Sequence, residues 1–154
     1  MWRFEVDYER LRTAMQLRQV HRPWWVAVRG EFGWQVRCRF AGVTAASAHA
    51  VRLRQVFGYQ PNEVTVSSVE DGAELWELEW AMNRLRHYQA VERAKLQPDE
   101  ARIQLLQNEI AYLMEEAVQL ACWRGFELQT RWRGDRLELR KGCDRSLSTL
   151  PEVS

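Results

Sequence analysis

The residues best suited to chemistry in this chain are the tryptophans and arginines that alternate between positions 22 and 40. The segment reads RPWWVAVRGEFGWQVRCRF and contains a glycine-bounded turn. Arginine presents a planar fork of N–H donors that grips carboxylates or phosphates, and tryptophan can stack on bases or fill a core. The pattern therefore predicts an anion-binding surface, a base-stacking surface, or a layer that covers a small hydrophobic core.

Two segments supply the predicted cationic surface. In the first, Arg37 and Arg39 alternate with a more apolar series, so both are expected to point to solvent. The second, FELQTRWRGDRLELR, has the same mixture of tryptophan, arginine and turn glycine. Tryptophan and arginine are enriched at interface hot spots. The predicted partner surface consists of Trp25, Arg29, Arg37, Arg39, Arg131, Trp132, Arg133 and Arg136.

Eight tryptophans exceed what one small core commonly needs, so some are expected at the surface. Trp25 and Trp132 lie opposite the more apolar strand series and are the two predicted to be exposed. Five others are predicted to face the core: Trp24, Trp34, Trp76, Trp80 and Trp123.

The net charge of +1 arises by cancellation. Residues 1–60 carry +6, residues 61–116 carry −7 and residues 117–154 carry +2. Such asymmetry is typical of separate cationic and acidic surfaces, although opposite patches within one fold can also attract each other. The acidic segment predicts a second partner surface that steers a basic partner or mimics a phosphate array. This surface consists of Glu70, Asp71, Glu74, Glu77 and Glu79.

The sequence signatures of common enzymes are absent. No GxxxxGK[ST], GxGxxG or GxSxG pattern occurs among the eight glycines. The three cysteines lack CxxC spacing and the three histidines lack HExxH spacing. A catalytic pair of Cys38 with His49 or His87 stays open, but Cys38 falls on the apolar side of its strand, where a thiol acts as a small hydrophobe. We predict no enzyme activity, no metal site and no cofactor.

Length and composition are those of one folded domain. The chain has 154 residues, of which 46% are hydrophobic and 28% charged. No stretch approaches the roughly 20 apolar residues of a membrane span, and the start, MWRFEVDYERL, carries acids where a signal peptide is apolar. We expect a cytoplasmic protein without membrane association. Residues 1–142 are predicted as a single domain, and residues 143–154 as a polar tail that frays.

Helices and strands that position these residues follow from periodicity and turn signals. Asp7 is placed to cap a first helix that ends near His21, and the Trp/Arg segment then forms a hairpin about its GEFG turn. Thr44 is predicted to cap a second helix, which ends at Gly58.

A second hairpin is predicted about the Asp71–Gly72 pair, which is a strong turn signal. Its first arm begins with the valines after Val64, and its return arm is ELWELEW, residues 74–80. Because Glu, Leu and Ala also favour helix, an acidic helix from Gly72 is the alternative for the return arm.

From Ala81 the pattern becomes helical. After Pro98 the apolar residues step by three and four through residues 103–120, which predicts a long amphipathic helix ending at Gly125. Packing on the core is preferred over a homodimer through residues 103–120, because the heptad covers fewer than three repeats. A third hairpin turns at Gly134–Asp135. The predicted fold class is α+β: antiparallel hairpins packed against helices, with a long C-terminal helix and a final hairpin.

These features favour a non-catalytic binding protein, a small accessory, adaptor or inhibitor-type regulatory module that contacts a partner protein through the Arg/Trp hairpins or the acidic stretch. The alternative is a protein that binds RNA or single-stranded nucleic acid, with Arg52, Arg54 and Arg140 joining a convergent arginine surface beside stacking tryptophans. Lysine is almost missing and no RNP, KH or helix-turn-helix pattern is legible, which weakens that alternative.

Overall fold

The computed structural model describes residues 22–144 of the chain. These residues form three α-helices and two antiparallel sheets, with a long helix followed by a final hairpin, so the chain is an α+β protein as predicted. They divide into two compact units, residues 22–28 with 36–73 and residues 29–35 with 74–144. The first predicted helix and residues 145–154 of the predicted tail lie outside the described residues, whereas residues 143 and 144, predicted to fray, belong to the last strand. The single domain over residues 1–142 stays a prediction.

The first unit is built on a three-stranded antiparallel sheet with strand order β2-β1-β3. Its strands are β1 (Trp24–Gly30), β2 (Gly33–Phe40) and β3 (Val64–Ser68). The hairpin predicted from the alternating Trp/Arg pattern is therefore confirmed. Strand β3 pairs with β1 from Trp24↔Ser68 to Val28↔Val64.

One helix, α1 (Val43–Phe57), forms the core of this unit with the sheet. The core cluster consists of Val26, Val28, Ala46, Ala50, Leu53 and Val64. The predicted cap at Thr44 is wrong, because Gly42, two residues earlier, holds the N-cap position without a side-chain cap and the helix begins at Val43. The predicted exit at Gly58 is confirmed by its left-handed conformation, which glycine adopts without a Cβ clash.

The predicted second hairpin is wrong. After β3, the Ser68 hydroxyl accepts a hydrogen bond from the Asp71 N–H at 3.2 Å and caps a 3₁₀ turn over Val69–Asp71. Gly72 then adopts a left-handed conformation with φ 92°. The chain continues into a helix rather than a return strand, because its Glu, Leu, Met, Arg and Gln residues favour helix over 20 residues.

The second unit contains two helices, α2 (Glu74–Arg93) and α3 (Glu100–Arg124). Asp99 caps α3 by accepting from the Arg102 N–H at 3.2 Å, and Gly125 ends it as predicted. Buried residues of α3 follow the predicted spacing of three and four: Ile103, Ile110, Ala117 and Leu120. Their burial within one chain explains the apolar stripe, and the homodimer through this helix stays a prediction.

A two-stranded sheet completes the second unit. Strands β4 (Phe126–Arg133) and β5 (Arg136–Asp144) form the predicted hairpin about Gly134–Asp135, and Gly134 has a positive φ of 67°. The outer edge of β5 is hydrogen-bonded to side chains of α2: the Leu137 and Leu139 N–H groups donate to Asn83 and Glu79, and the Leu137 carbonyl accepts from Asn83. None of the helices in residues 22–144 has the length and apolar character needed to cross a bilayer.

Candidate anion-binding site

A cavity of about 300 Å³ in the second unit gathers arginines, tryptophans and two carboxylates. Three structural elements supply its lining: the end of the β1–β2 hairpin, helix α2 and the β4–β5 hairpin. We call it the arginine cavity. Its lining consists of Arg29, Gly33, Trp34, Trp76, Glu79, Arg133, Arg136, Leu137, Glu138, Leu139 and Arg140.

The charge of this lining favours an anion. Four arginines against two carboxylates leave a net charge of +2 when both acids are ionised. A guanidinium stays protonated at any physiological pH and presents donors that match a carboxylate. The volume is at the lower end of ligand sites, about 300–1,000 Å³, and suits one or two small groups rather than a large cofactor.

Two tryptophans form an aromatic wall in the cavity. The ring centroids of Trp34 and Trp76 are 6.3 Å apart with an interplanar angle of 41°. The Arg29 guanidinium lies 5.2 Å from the Trp34 ring centroid, in cation–π contact. This contact orients a guanidinium and leaves N–H groups at its edge. The wall can therefore receive an apolar group that neighbours an anionic one.

Glu79 is the buried acid of the arginine cavity, with only 6% of its surface exposed. Its Oε1 accepts a hydrogen bond from the Leu139 N–H at 2.8 Å. Burial raises the pKa of Glu79 from 4.5 to about 7. The negative charge of Glu138 raises this pKa further. The hydrogen bond from Leu139 and the positive charges of Arg136 and Arg29 lower it. At neutral pH, Glu79 is therefore divided between the acid and the carboxylate.

Gly33 makes room for this carboxyl group. A Cβ atom at position 33 would lie 2.6 Å from Glu79 Oε2, and the φ of Gly33 is +125°, a conformation that other residues rarely adopt. Because Gly33 lines the cavity, the second oxygen of Glu79 lies at the cavity wall while the first is bonded to β5.

Glu138 organises the arginines of the β4–β5 hairpin. Its carboxylate lies 3.2 Å from Arg131 Nη2, 3.3 Å from Arg133 Nε and 3.7 Å from Arg140 Nη2. The three arginine side chains are each more than half exposed, whereas Glu138 is 17% exposed. One carboxylate cannot neutralise three guanidiniums, so this surface stays cationic and has N–H groups for a further anion.

The predicted cationic surface is partly assembled. Arg29, Arg133 and Arg136 line the arginine cavity, and Arg131 joins through Glu138. Trp132 is 54% exposed, as predicted, and the Arg86 guanidinium lies 4.3 Å from its ring centroid. The other three predicted residues, Trp25, Arg37 and Arg39, belong to the first unit.

The predicted exposure of Trp25 is wrong. Its ring is only 4% exposed, because the Arg39 guanidinium covers it at 4.4 Å and its Nε1 donates to the Arg22 carbonyl at 3.0 Å. Arg39 is consequently half-buried instead of pointing freely to solvent. Arg37 is exposed as predicted and donates to the Tyr59 hydroxyl at 3.1 Å.

The predicted acidic surface is also corrected. Glu74 and Glu79 are buried, the first paired with Arg124 at 3.0 Å and the second bonded to β5. Glu77 is exposed on α2, whereas Glu70 and Asp71 are exposed in the first unit. The structural reason is the helix: a strand would have placed Glu77 and Glu79 on the face opposite Trp76, Leu78 and Trp80, whereas in the helix Glu74 and Glu79 are both buried.

Sequence reasoning missed Glu138 and the cavity role of Trp34, Trp76 and Glu79. Glu138 was accessible to prediction, because the Gly134–Asp135 turn sets Arg131 opposite Glu138 in the hairpin register. Trp34 and Trp76 are half-buried rather than fully enclosed. The prediction that both face the core did not reveal the cavity that they line.

A second cavity, of about 390 Å³, lies at the connection between α2 and α3. Its buried acid, Glu92, pairs with Lys95 at 2.9 Å and accepts from the Asp99 N–H at 3.0 Å. That backbone hydrogen bond, followed by the bond from Lys95, lowers the pKa of Glu92. These groups hold the interhelical turn by satisfying one another, which makes this cavity a weaker candidate.

The cysteine–histidine pair gains no support from its surroundings. Cys38 is half-buried on β2, and the His49 ring lies 5.4 Å from the Phe40 ring, centroid to centroid. His87 packs on Phe32 at 5.6 Å in the second unit. In the part of the chain that the structure describes, no three His, Cys, Asp or Glu side chains cluster as metal ligands.

Comparison with known proteins adds no identification: no protein-family model, no curated sequence and no solved structure matches this chain.

Proposed function

We propose that this chain is a non-catalytic binding protein that captures an acidic segment of a partner protein at the arginine cavity. The observation that carries the proposal is the convergence of Arg29, Arg133, Arg136 and Arg140 around one cavity with a net positive charge. Arginine forks pair with carboxylates through two parallel N–H···O bonds. A carboxylate-bearing side chain therefore suits these donors.

The aromatic wall supports a peptide ligand. An acidic side chain occupying the guanidinium donors would bring its neighbours in the partner chain against Trp34 and Trp76. Aliphatic or aromatic neighbours would bury surface there, at about 25 cal/mol for each Å² of apolar area removed from water. A segment that alternates acidic and apolar residues is thus the expected partner chemistry.

The position of the tryptophans favours this proposal over nucleic-acid binding. Along β4, Trp132 alternates with Arg131 and Arg133, so its ring lies on the other face of the hairpin from these arginines. The Arg86 guanidinium also lies 4.3 Å from the centroid of the Trp132 ring and covers one of its faces. A sheet that stacks bases needs open aromatic faces beside its cationic groups.

A non-catalytic role is consistent with the chemistry of the lining. The described residues around the cavity include no Ser, Cys, His or Lys that could serve as a nucleophile. Of the two carboxyl groups, Glu138 is bound by three arginines and Glu79 by the β5 backbone. Both acids are therefore held in contacts that organise the site.

The test is calorimetric titration of the purified protein with a capped octapeptide, Glu-Glu-Leu-Glu-Glu-Leu-Glu-Glu, and with the same peptide carrying Gln in place of Glu. We expect saturable binding of the acidic peptide alone. The double variant Arg133→Gln/Arg140→Gln should weaken it by at least about tenfold, because a charge-assisted hydrogen bond contributes about 1.5–3 kcal/mol. The variant Arg52→Gln/Arg93→Gln removes the same charge from exposed helical positions outside the cavity and should bind as the wild type does.

Two outcomes would overturn the proposal. The first is absence of acidic-peptide binding at low salt, or equal weakening by both double variants. The second is preferential binding of a short single-stranded oligothymidine, with an affinity that falls steeply with salt, which would assign the arginines to phosphates.

A further inference from the structure

The arginine cavity contains two acids, Glu79 and Glu138, and Glu79 is the more deeply buried of them. Glu79 is buried at the cavity wall and is anchored through one oxygen to the Leu139 N–H at 2.8 Å. Its other oxygen lies beside Gly33. A carboxyl group held in this way can add or lose a proton at the second oxygen without losing its hydrogen bond to β5.

We infer that the arginine cavity binds the carboxylate of its partner together with one proton, and that Glu79 takes up this proton. This inference rests on the proposed function, because it concerns the same cavity and the same acidic ligand. Its physical basis is repulsion between like charges: an incoming carboxylate near ionised Glu79 costs free energy that protonation of Glu79 removes.

The groups around Glu79 determine how strongly its proton is coupled to the ligand. Arg29, from the β1–β2 hairpin, and Arg136, from β5, favour the ionised form. Glu138, also from β5, favours the protonated form. Arg133 on β4 and Arg140 on β5 complete the charged lining. A ligand carboxylate that pairs with these arginines reduces their ability to stabilise ionised Glu79 and adds a second negative charge.

The free protein is poised for this coupling. Because the pKa of Glu79 is about 7, most molecules carry ionised Glu79 at slightly alkaline pH. In these molecules Glu79 must gain a proton when it becomes neutral. In the limit where the ligand binds only protonated Glu79, affinity falls by about tenfold for each pH unit above 7. Binding becomes insensitive to this group well below pH 7, where Glu79 is already protonated.

The experiment is calorimetric titration with the same Glu/Leu octapeptide between pH 6 and pH 8.5, where the peptide carboxylates stay ionised. Repeating the titration at pH 7.5 in Tris and in HEPES, which differ in ionisation enthalpy, counts the protons exchanged. We expect net proton uptake and affinity that decreases as pH rises. Glu79→Gln should abolish both effects, since its amide resembles the neutral acid in shape and still offers an acceptor to Leu139.

A matched control is Glu116→Gln. Burial raises the pKa of Glu116 on α3, but this residue does not line the arginine cavity. Its variant should keep the proton uptake and pH dependence of the wild type. This comparison distinguishes Glu79 in the cavity from a carboxyl group elsewhere whose pKa is also raised.

Each outcome discriminates. Peptide binding with pH-independent affinity and no proton uptake would overturn the inference while leaving the proposed function intact. Unchanged pH dependence in Glu79→Gln would also overturn it, because another group would carry the proton. Absence of peptide binding at every pH would overturn both proposals. If Glu79→Gln proved unstable, the proton count on the wild-type protein would still decide whether uptake occurs.

Discussion

Asn83 and Leu137 exchange two hydrogen bonds across the contact between α2 and β5. The Leu137 N–H donates to Asn83 Oδ1 at 2.9 Å, and Asn83 Nδ2 donates to the Leu137 carbonyl at 2.9 Å. The same amide nitrogen donates to the Phe32 carbonyl at 3.0 Å. One helix turn earlier, Glu79 accepts from Leu139. Two helix side chains thus satisfy a strand edge that would otherwise need another strand or water.

Replacing Asn83 by Ala should lower the free energy of unfolding by about 1–3 kcal/mol. The substitution leaves the buried Leu137 N–H without an acceptor, and an unpaired buried polar group costs about 1–3 kcal/mol. Urea denaturation measures the loss. Asn108→Ala is the control, because Asn108 bonds only to Gln104 at the exposed surface of α3 among the contacts described. Equal losses in the two variants would contradict the bridging role of Asn83.

Glu79 should make stability depend on pH. Its pKa in the folded protein, about 7, lies above the unfolded value of 4.5, so the folded state holds more protons between these values. This contribution to stability is fully present below pH 4.5 and is lost as pH rises through 7. The difference of about 2.5 pKa units corresponds to roughly 3 kcal/mol.

The measurement is the free energy of unfolding of wild type and Glu79→Gln at several values between pH 4.5 and 8. Because Glu92 and Glu116 also have displaced pKa values, the difference between the two proteins is the informative quantity. The variant should gain relative stability as pH rises. A difference independent of pH would show that Glu79 titrates near its ordinary value.

Gly33→Ala should destabilise the protein by about 1–3 kcal/mol. The substitution requires a side chain at φ +125° and places its Cβ against Glu79 Oε2, which the Leu139 bond holds in place. Gly30→Ala in the same hairpin is the control, since the nearest atom to a Cβ there is at an ordinary 3.5 Å. Thermal unfolding of both variants tests this. A loss in Gly30→Ala as large as in Gly33→Ala would exclude the local cause.

Arg37 and Arg39 should respond differently to charge reversal although they are two residues apart. Arg39→Glu removes the guanidinium from the Trp25 ring and places a carboxylate there, so we expect a loss of about 1–2 kcal/mol. Arg37→Glu loses only an exposed hydrogen bond to Tyr59 and should change stability by less than about 0.5 kcal/mol. Quenching of tryptophan fluorescence by acrylamide would show whether Trp25 becomes accessible in the first variant alone.

Local patterns were sufficient to predict the α+β class and several of its elements. The alternation around Trp34 and Arg37 gave a period of two that only a strand accommodates, and the Gly134–Asp135 pair marked a hairpin turn. The three- and four-residue spacing from Ile103 to Leu120 required a helix. In each case, neighbouring residues carried enough information because the periodicity and the turn chemistry agreed.

The hairpin predicted about Asp71–Gly72 was wrong because two local signals disagreed there. An Asp–Gly pair is a strong hairpin signal, but here the Ser68 side chain captured the Asp71 N–H and the following residues had higher propensity for helix. Reading 74–93 as a helix would have placed Glu79 and Asn83 on the same face as the apolar Leu75 and Met82. Two polar residues on an apolar face indicate buried hydrogen-bond partners.

The sequence alone establishes which residue types are present and how far apart they lie within each element. It does not establish that Arg29 and Arg136, more than one hundred positions apart, line the same cavity, or that Trp25 is covered by Arg39. Such contacts depend on packing between distant segments. The free edge of β5 needs hydrogen-bond donors and acceptors, and the buried Trp25 ring needs a side chain that covers it. Folding satisfies these requirements together, and the proton affinity of Glu79 follows from that packed environment rather than from its neighbours in the chain.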